Sequence, residues 1–92
     1  MNSVEMHAEL LEYLHELYVT KNSDYGNSVH DTFEKYGLTS FLVRLEDKLN
    51  RARTLTLNPK NQKVADEKIE DTLLDLANYA ILAVVELKNK KK

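Results

Sequence analysis

The run Ala65-Asp66-Glu67-Lys68-Ile69-Glu70-Asp71-Thr72-Leu73-Leu74-Asp75-Leu76-Ala77-Asn78-Tyr79-Ala80-Ile81-Leu82-Ala83-Val84-Val85 contains neither Gly nor Pro. Ala65, Ile69, Thr72, Leu76, Ala80 and Ala83 recur every three or four residues, so the run reads as one helix from about Asn61 to Leu87 with a continuous apolar face. Beyond Tyr79, Ile81, Leu82, Val84 and Val85 make it apolar nearly all round, the pattern of a helix covered on every side. In a chain of 92 residues that cover is expected from further copies, so the reading is a homo-oligomer, dimer or tetramer, assembled through this helix.

Three earlier segments complete a small all-α, four-helix bundle of three long helices and one short one. Met6, Leu10, Leu14, Leu17 and Tyr18 put a first helix over Ser3 to Lys21, with Ser3 as its N-cap and Glu5, Glu9, Glu12 and Glu16 on a solvated opposite face. A break is expected at Asn22 to Ser28, then a short helix to Tyr36 with Val29, Phe33 and Tyr36 inward, stopped by Gly37. Thr39 or Ser40 caps a third helix with Phe41, Leu42, Leu45, Leu49 and Ala52 on its stripe, fading near Leu55. A second break spans Thr56 to Gln62 around the single Pro.

Composition agrees. Two Gly and one Pro cannot supply the turns of a sandwich or barrel, which need one about every 8–12 residues. No Cys means no disulfide and no thiolate site. A single domain over residues 1–92 with no staple has a core worth roughly 3–5 kcal/mol, a second reason to expect self-association. The net charge of −2 and pI of about 5.9 advertise no nucleic-acid surface. The start is not a basic leader, and no apolar run reaches the roughly 18 residues of a membrane span, so cytoplasm is the expected compartment. Lys88-Asn89-Lys90-Lys91-Lys92 reads as a basic, disordered tail, or else as a polyanion contact.

The chemistry concentrates in acids. Glu67, Asp71 and Asp75 are successive i, i+4 positions in one column, which continues as Asn78, Leu82 and Val85. An acidic column that turns apolar without changing direction enters a groove. Stacked carboxylates repel unless a cation sits between them, and Mg²⁺ or Mn²⁺ is the hard cation they suit. On the third helix Arg44, Asp47, Lys48 and Arg51 share one flank, while Glu46, Asn50 and Arg53 share the other. Packed antiparallel to the last helix, that surface faces the acidic column, with Arg and Lys placed for phosphates. A plain ion-paired surface is the alternative. Lys21, Asp24 and Tyr25 beside Gly26 either close over a nucleotide, Tyr25 on a base and Lys21 on a phosphate, or form an ordinary turn. His7, His15 and His30 make no i, i+4 pair, and packing or surface roles cover them.

Lys21-Asn22-Ser23-Asp24-Tyr25-Gly26, Tyr36-Gly37-Leu38-Thr39, Arg44-Leu45-Glu46-Asp47-Lys48-Leu49-Asn50-Arg51, then Asp66-Glu67 and Glu70-Asp71-Thr72-Leu73-Leu74-Asp75-Leu76-Ala77-Asn78-Tyr79-Ala80 occur in that order. Over roughly Lys21 to Leu87 the chain resembles the phage and prophage family called nucleotide modification associated domain 1. More distantly it is similar to the MazG-like all-α nucleoside triphosphate pyrophosphohydrolases, Mg²⁺-dependent oligomers with ExxE and ExxD motifs. Here Asn50 stands where the second acid of the first motif belongs, and Glu67, Asp71 and Asp75 are spaced by four rather than three. The resemblance implies cleavage of a nucleoside triphosphate to monophosphate and pyrophosphate. Glu46, Asp47, Glu67, Glu70, Asp71 and Asp75 would hold one or two Mg²⁺ (or Mn²⁺), with Glu67, Asp71 and Asp75 carrying the catalysis. Lys21, Asp24, Tyr25, Arg44, Lys48, Arg51 and Asn78 would contact the nucleotide. The alternatives are a non-catalytic nucleotide-binding module of phage DNA modification, or a helical interaction protein with no ligand.

Overall fold

The computed structural model of the chain describes residues 1–25, 28–58, 60 and 62–90, without the side chains of Ser23, Asp24 and Tyr25. Four helices, α1 (Ser3–Tyr25), α2 (Ser28–Tyr36), α3 (Thr39–Leu57) and α4 (Gln62–Lys90), make an all-α bundle, and the described residues include no strand. At about 1.5 Å per residue, α4 accounts for nearly the whole 44 Å long axis of the molecule.

Helix starts and stops follow local chemistry. The cap of α1 is Asn2 rather than Ser3. Its Oδ1 accepts the Glu5 N–H at 2.8 Å and its Nδ2 donates to Glu5 Oε1 at 2.8 Å, a reciprocal cap. The break expected from Asn22 is shorter, because α1 runs on to Tyr25. Asn, Ser and Asp each cost no more than about 0.7 kcal/mol inside a helix, so they do not stop it. Gly37 ends α2 in the left-handed region, φ +70°, and donates its N–H to the Phe33 carbonyl at 2.7 Å. Neither Thr39 nor Ser40 caps α3. Leu38 occupies that position without a side-chain bond, and Ser40 Oγ instead donates to the Gly37 carbonyl. At the far end α4 extends through Lys90, so Lys88 to Lys90 form its last turn, where their charge suits the helix dipole.

The core is carried by α3 against α4. Phe41, Phe33 and Ala83 form its densest part, with Val29, Tyr79, Leu82 and Leu87 packed around them and the two rings 5.9 Å apart at 54°. Ala52, Ala65 and Thr72 are buried further along. The satisfied hydroxyl of Thr72, donating to the Lys68 carbonyl, explains how a polar residue sits in that seam. Tyr36, expected inward, is 65% exposed, and Leu42 and Leu49 also face out. On α4 the inward column is completed by Tyr79, while Ala80 is exposed: steps of about 100° put position 79 nearer than 80 to the line through Thr72 and Ala83. Helix α1 buries Leu14 but leaves Val4, Met6, Leu10, Leu11 and Tyr13 exposed. Ile81, Val84 and Val85 of α4 stay exposed as well. None of the described helices is long and apolar enough to cross a membrane.

Candidate functional site

Because α3 runs antiparallel to α4, residues one turn apart on each meet in register. Lys48 Nζ donates to Asp75 Oδ2 at 3.2 Å, and one turn on Arg44 lies over the Tyr79 ring, its guanidinium carbon 5.4 Å from the ring centre. Arg44 Nη1 also donates to the Tyr79 hydroxyl at 3.4 Å. The aromatic face and the hydroxyl hold the guanidinium in place without neutralising it.

These pairs form one end of a cavity of about 340 Å³. Along α4 its wall is built by Asp75, Asn78, Tyr79, Leu82, Val85 and Glu86, successive turns of one face. Tyr18, Lys21 and Asn22 close it from the last turns of α1, and Ser28, Val29 and His30 from the start of α2. That volume lies within the range of small-molecule sites, about 300–1,000 Å³.

The opposite end is differently built. His30 Nδ1 stands 2.7 Å from Glu86 Oε2, and His30 Nε2 is 3.1 Å from Glu34 Oε1. The hydrogen bond to Glu86 holds the imidazole pKa above its usual 6.5, aided by the charges of Glu86, Glu34 and Asp31 and opposed by partial burial. In the charged form both ring nitrogens donate, which ties α2 to α4 through one side chain.

Five of the residues expected to bind or catalyse therefore meet in this cavity: Lys21, Arg44, Lys48, Asp75 and Asn78. Glu46, Asp47, Arg51, Glu67, Glu70 and Asp71 are exposed and do not line it. The cavity stops at the Lys48–Asp75 pair, and Asp71 and Glu67 lie one and two turns of α4 beyond it. Asp47 and Arg51 make no ion pair with each other, and Asn50 accepts a bond from Arg53 on the outer surface. The Asp24 and Tyr25 side chains fall outside the described residues. Among the described residues no group of three or more His, Cys, Asp or Glu side chains could hold a metal ion. One carboxylate, Asp75, stands at the cationic end of the cavity.

Tyr18, His30, Tyr79 and Glu86 also line the cavity and were not among the residues expected to bind or catalyse. Glu86 continues the Asp75–Leu82 column and was legible as such. His30 had no local signal, because its partner lies 56 residues away.

A family model described as nucleotide modification associated domain 1 matches residues 21–87. The chain belongs to that family. No curated protein and no solved structure matches it. In this nucleotide modification associated domain 1 protein the matched span carries every cavity-lining residue except Tyr18, while the exposed apolar first turns of α1 lie outside it.

Proposed function

We propose that the cavity binds a nucleoside triphosphate. The observation that carries this reading is the clustering of Lys48, Arg44 and Lys21 in a cavity that also presents the rings of Tyr18 and Tyr79. Guanidinium and ammonium donors bind phosphate oxygens through charge-assisted bonds, and the Tyr rings together with the apolar wall of Val29, Leu82 and Val85 suit the nucleoside. Mg²⁺ would arrive with the phosphates, with Asp75 as its protein ligand; when bound it would neutralise phosphate charge.

Hydrolysis to monophosphate and pyrophosphate is the second reading, favoured by the column Glu67–Asp71–Asp75 leading out from the phosphate end. In that reaction water adds to the α-phosphorus, the bond to the bridging oxygen breaks, and a carboxylate of the column takes the water's proton. The proposed working unit is a homo-oligomer, supported by the exposed Ile81, Val84 and Val85 on α4.

The test is a melting curve with each nucleoside triphosphate, with and without Mg²⁺, followed by an assay for pyrophosphate. A ligand at about 100 times its Kd stabilises the fold by roughly 2.7 kcal/mol, a clear shift in a domain this small. A shift with pyrophosphate release supports hydrolysis, and a shift without release leaves binding alone. No shift with any triphosphate overturns both.

A further inference from the structure

The cavity has two chemically opposite ends. Along α4, Asp75 and Glu86 are separated by about 16 Å of helix rise, with Leu82 and Val85 between them. Lys48 and Arg44 stand beside Asp75 and Tyr79, so positive charge gathers at one end. The other end holds Val29, Leu82 and Val85 as apolar wall and finishes on the carboxylate of Glu86.

Glu86 is unusual among the acids whose side chains are described. Its side chain is only 12% exposed, and it is fixed from α2 by the 2.7 Å bond between His30 Nδ1 and Oε2. The other oxygen, Oε1, accepts no hydrogen bond among the described residues, yet no buried side-chain oxygen there lacks a partner. Oε1 is therefore open to solvent, and Glu86 faces the cavity as well as a smaller neighbouring one of about 300 Å³ behind His30. A half-sequestered carboxylate with one engaged oxygen presents the other as an acceptor of fixed direction. A ligand atom that reaches it must bring a donor, because an acceptor placed there would displace water from a carboxylate lone pair and offer no proton in exchange.

We propose that Glu86 Oε1 is a base-selecting acceptor, so that the cavity takes nucleotides whose base carries an exocyclic amino group and discriminates against those with a carbonyl in its place. The proposal rests on the nucleotide reading above and deepens it. With the phosphates on Lys48 and Arg44, the base lies between Val29, Leu82 and Val85 and turns its edge towards Glu86. His30 sets the geometry by engaging Oε2, which leaves Oε1 as the uncommitted oxygen.

The experiment is calorimetric titration of the wild-type protein with two matched pairs, cytidine against uridine triphosphate and adenosine against inosine triphosphate. Each pair differs by amino against carbonyl at the base edge. The amino member of each pair that binds is expected to be about tenfold tighter or more, the effect of one mismatched polar contact. In Glu86→Gln, whose amide still offers an oxygen to His30, that preference is expected to collapse while binding of the carbonyl member holds or strengthens. Equal or reversed affinity within the pairs in wild-type protein overturns the proposal, as does an undiminished preference in a folded Glu86→Gln. If no triphosphate binds, it is the nucleotide reading itself that fails, which separates the two failures. The paired comparison in wild-type protein needs no variant to fold.

Discussion

Lys48 Nζ stands 3.2 Å from Asp75 Oδ2, a contact between α3 and α4 in which each side chain remains about one-third exposed. The pair joins two helices at the mouth of the cavity, and its screening by water limits what it adds to stability. In the proposed triphosphate reading its importance lies in the cation it would offer a phosphate.

Lys48→Met is accordingly expected to change unfolding free energy by less than about 1 kcal/mol. Triphosphate affinity should fall roughly ten- to a hundredfold, the loss of one charge-assisted bond. Asp75→Asn is expected to tighten metal-free triphosphate binding and to remove the further gain that Mg²⁺ gives. Calorimetry with Mg²⁺ and with chelator reads both.

His30 makes stability depend on pH. Its pKa is raised in the folded state by Glu86 and its acidic neighbours, so the stability it adds is complete below the unfolded value of 6.5. That contribution is lost as pH rises through the folded value. Melting temperature should therefore fall as pH rises above about 6.5 more steeply in wild-type protein than in His30→Gln. Parallel pH profiles for the two proteins would count against the bridge.

Asp71 lies one turn from Asp75 and one turn from Glu67, exposed and without an ion-pair partner among the described residues. Asp71→Asn in metal-free buffer is expected to raise stability by about 0.2–0.5 kcal/mol per like-charge contact relieved. Urea unfolding at low ionic strength checks this. A loss of stability would count against a column that waits for a cation.

Phe41 is 1% exposed and touches both Phe33 and the seam around Ala83. Phe41→Ala should cost about 3–5 kcal/mol, comparable with the whole margin of an unstapled domain this size. The variant is expected to be largely unfolded at room temperature by circular dichroism, whereas Leu42→Ala, at a half-exposed neighbour, should stay within about 0.5 kcal/mol of wild type.

The contrast between Phe41 and Leu42 also shows where spacing stops being informative. Both lay on the predicted stripe of α3, and only packing against α2 and α4 chose between them. Likewise Arg44, Lys48 and Arg51 shared a flank by periodicity, yet the cavity takes the first two and leaves Arg51 outside. Periodicity sets the direction of a side chain around its helix. It does not set how far along the helix the neighbouring elements extend.

Four helices, the Gly37 stop and the acidic column that runs into Leu82 were decided within the chain's local order, because hydrogen bonds four residues apart, left-handed backbone at glycine and a 3.6-residue repeat act over one or two turns. The bond between His30 and Glu86, the stacking of Arg44 on Tyr79 and the two-ended cavity between them were decided by tertiary structure alone. They depend on the rotation and register with which α2 and α3 dock on α4. Those are set by how Phe33, Phe41 and Ala83 fit one another in three dimensions, and no spacing along a single helix contains that fit.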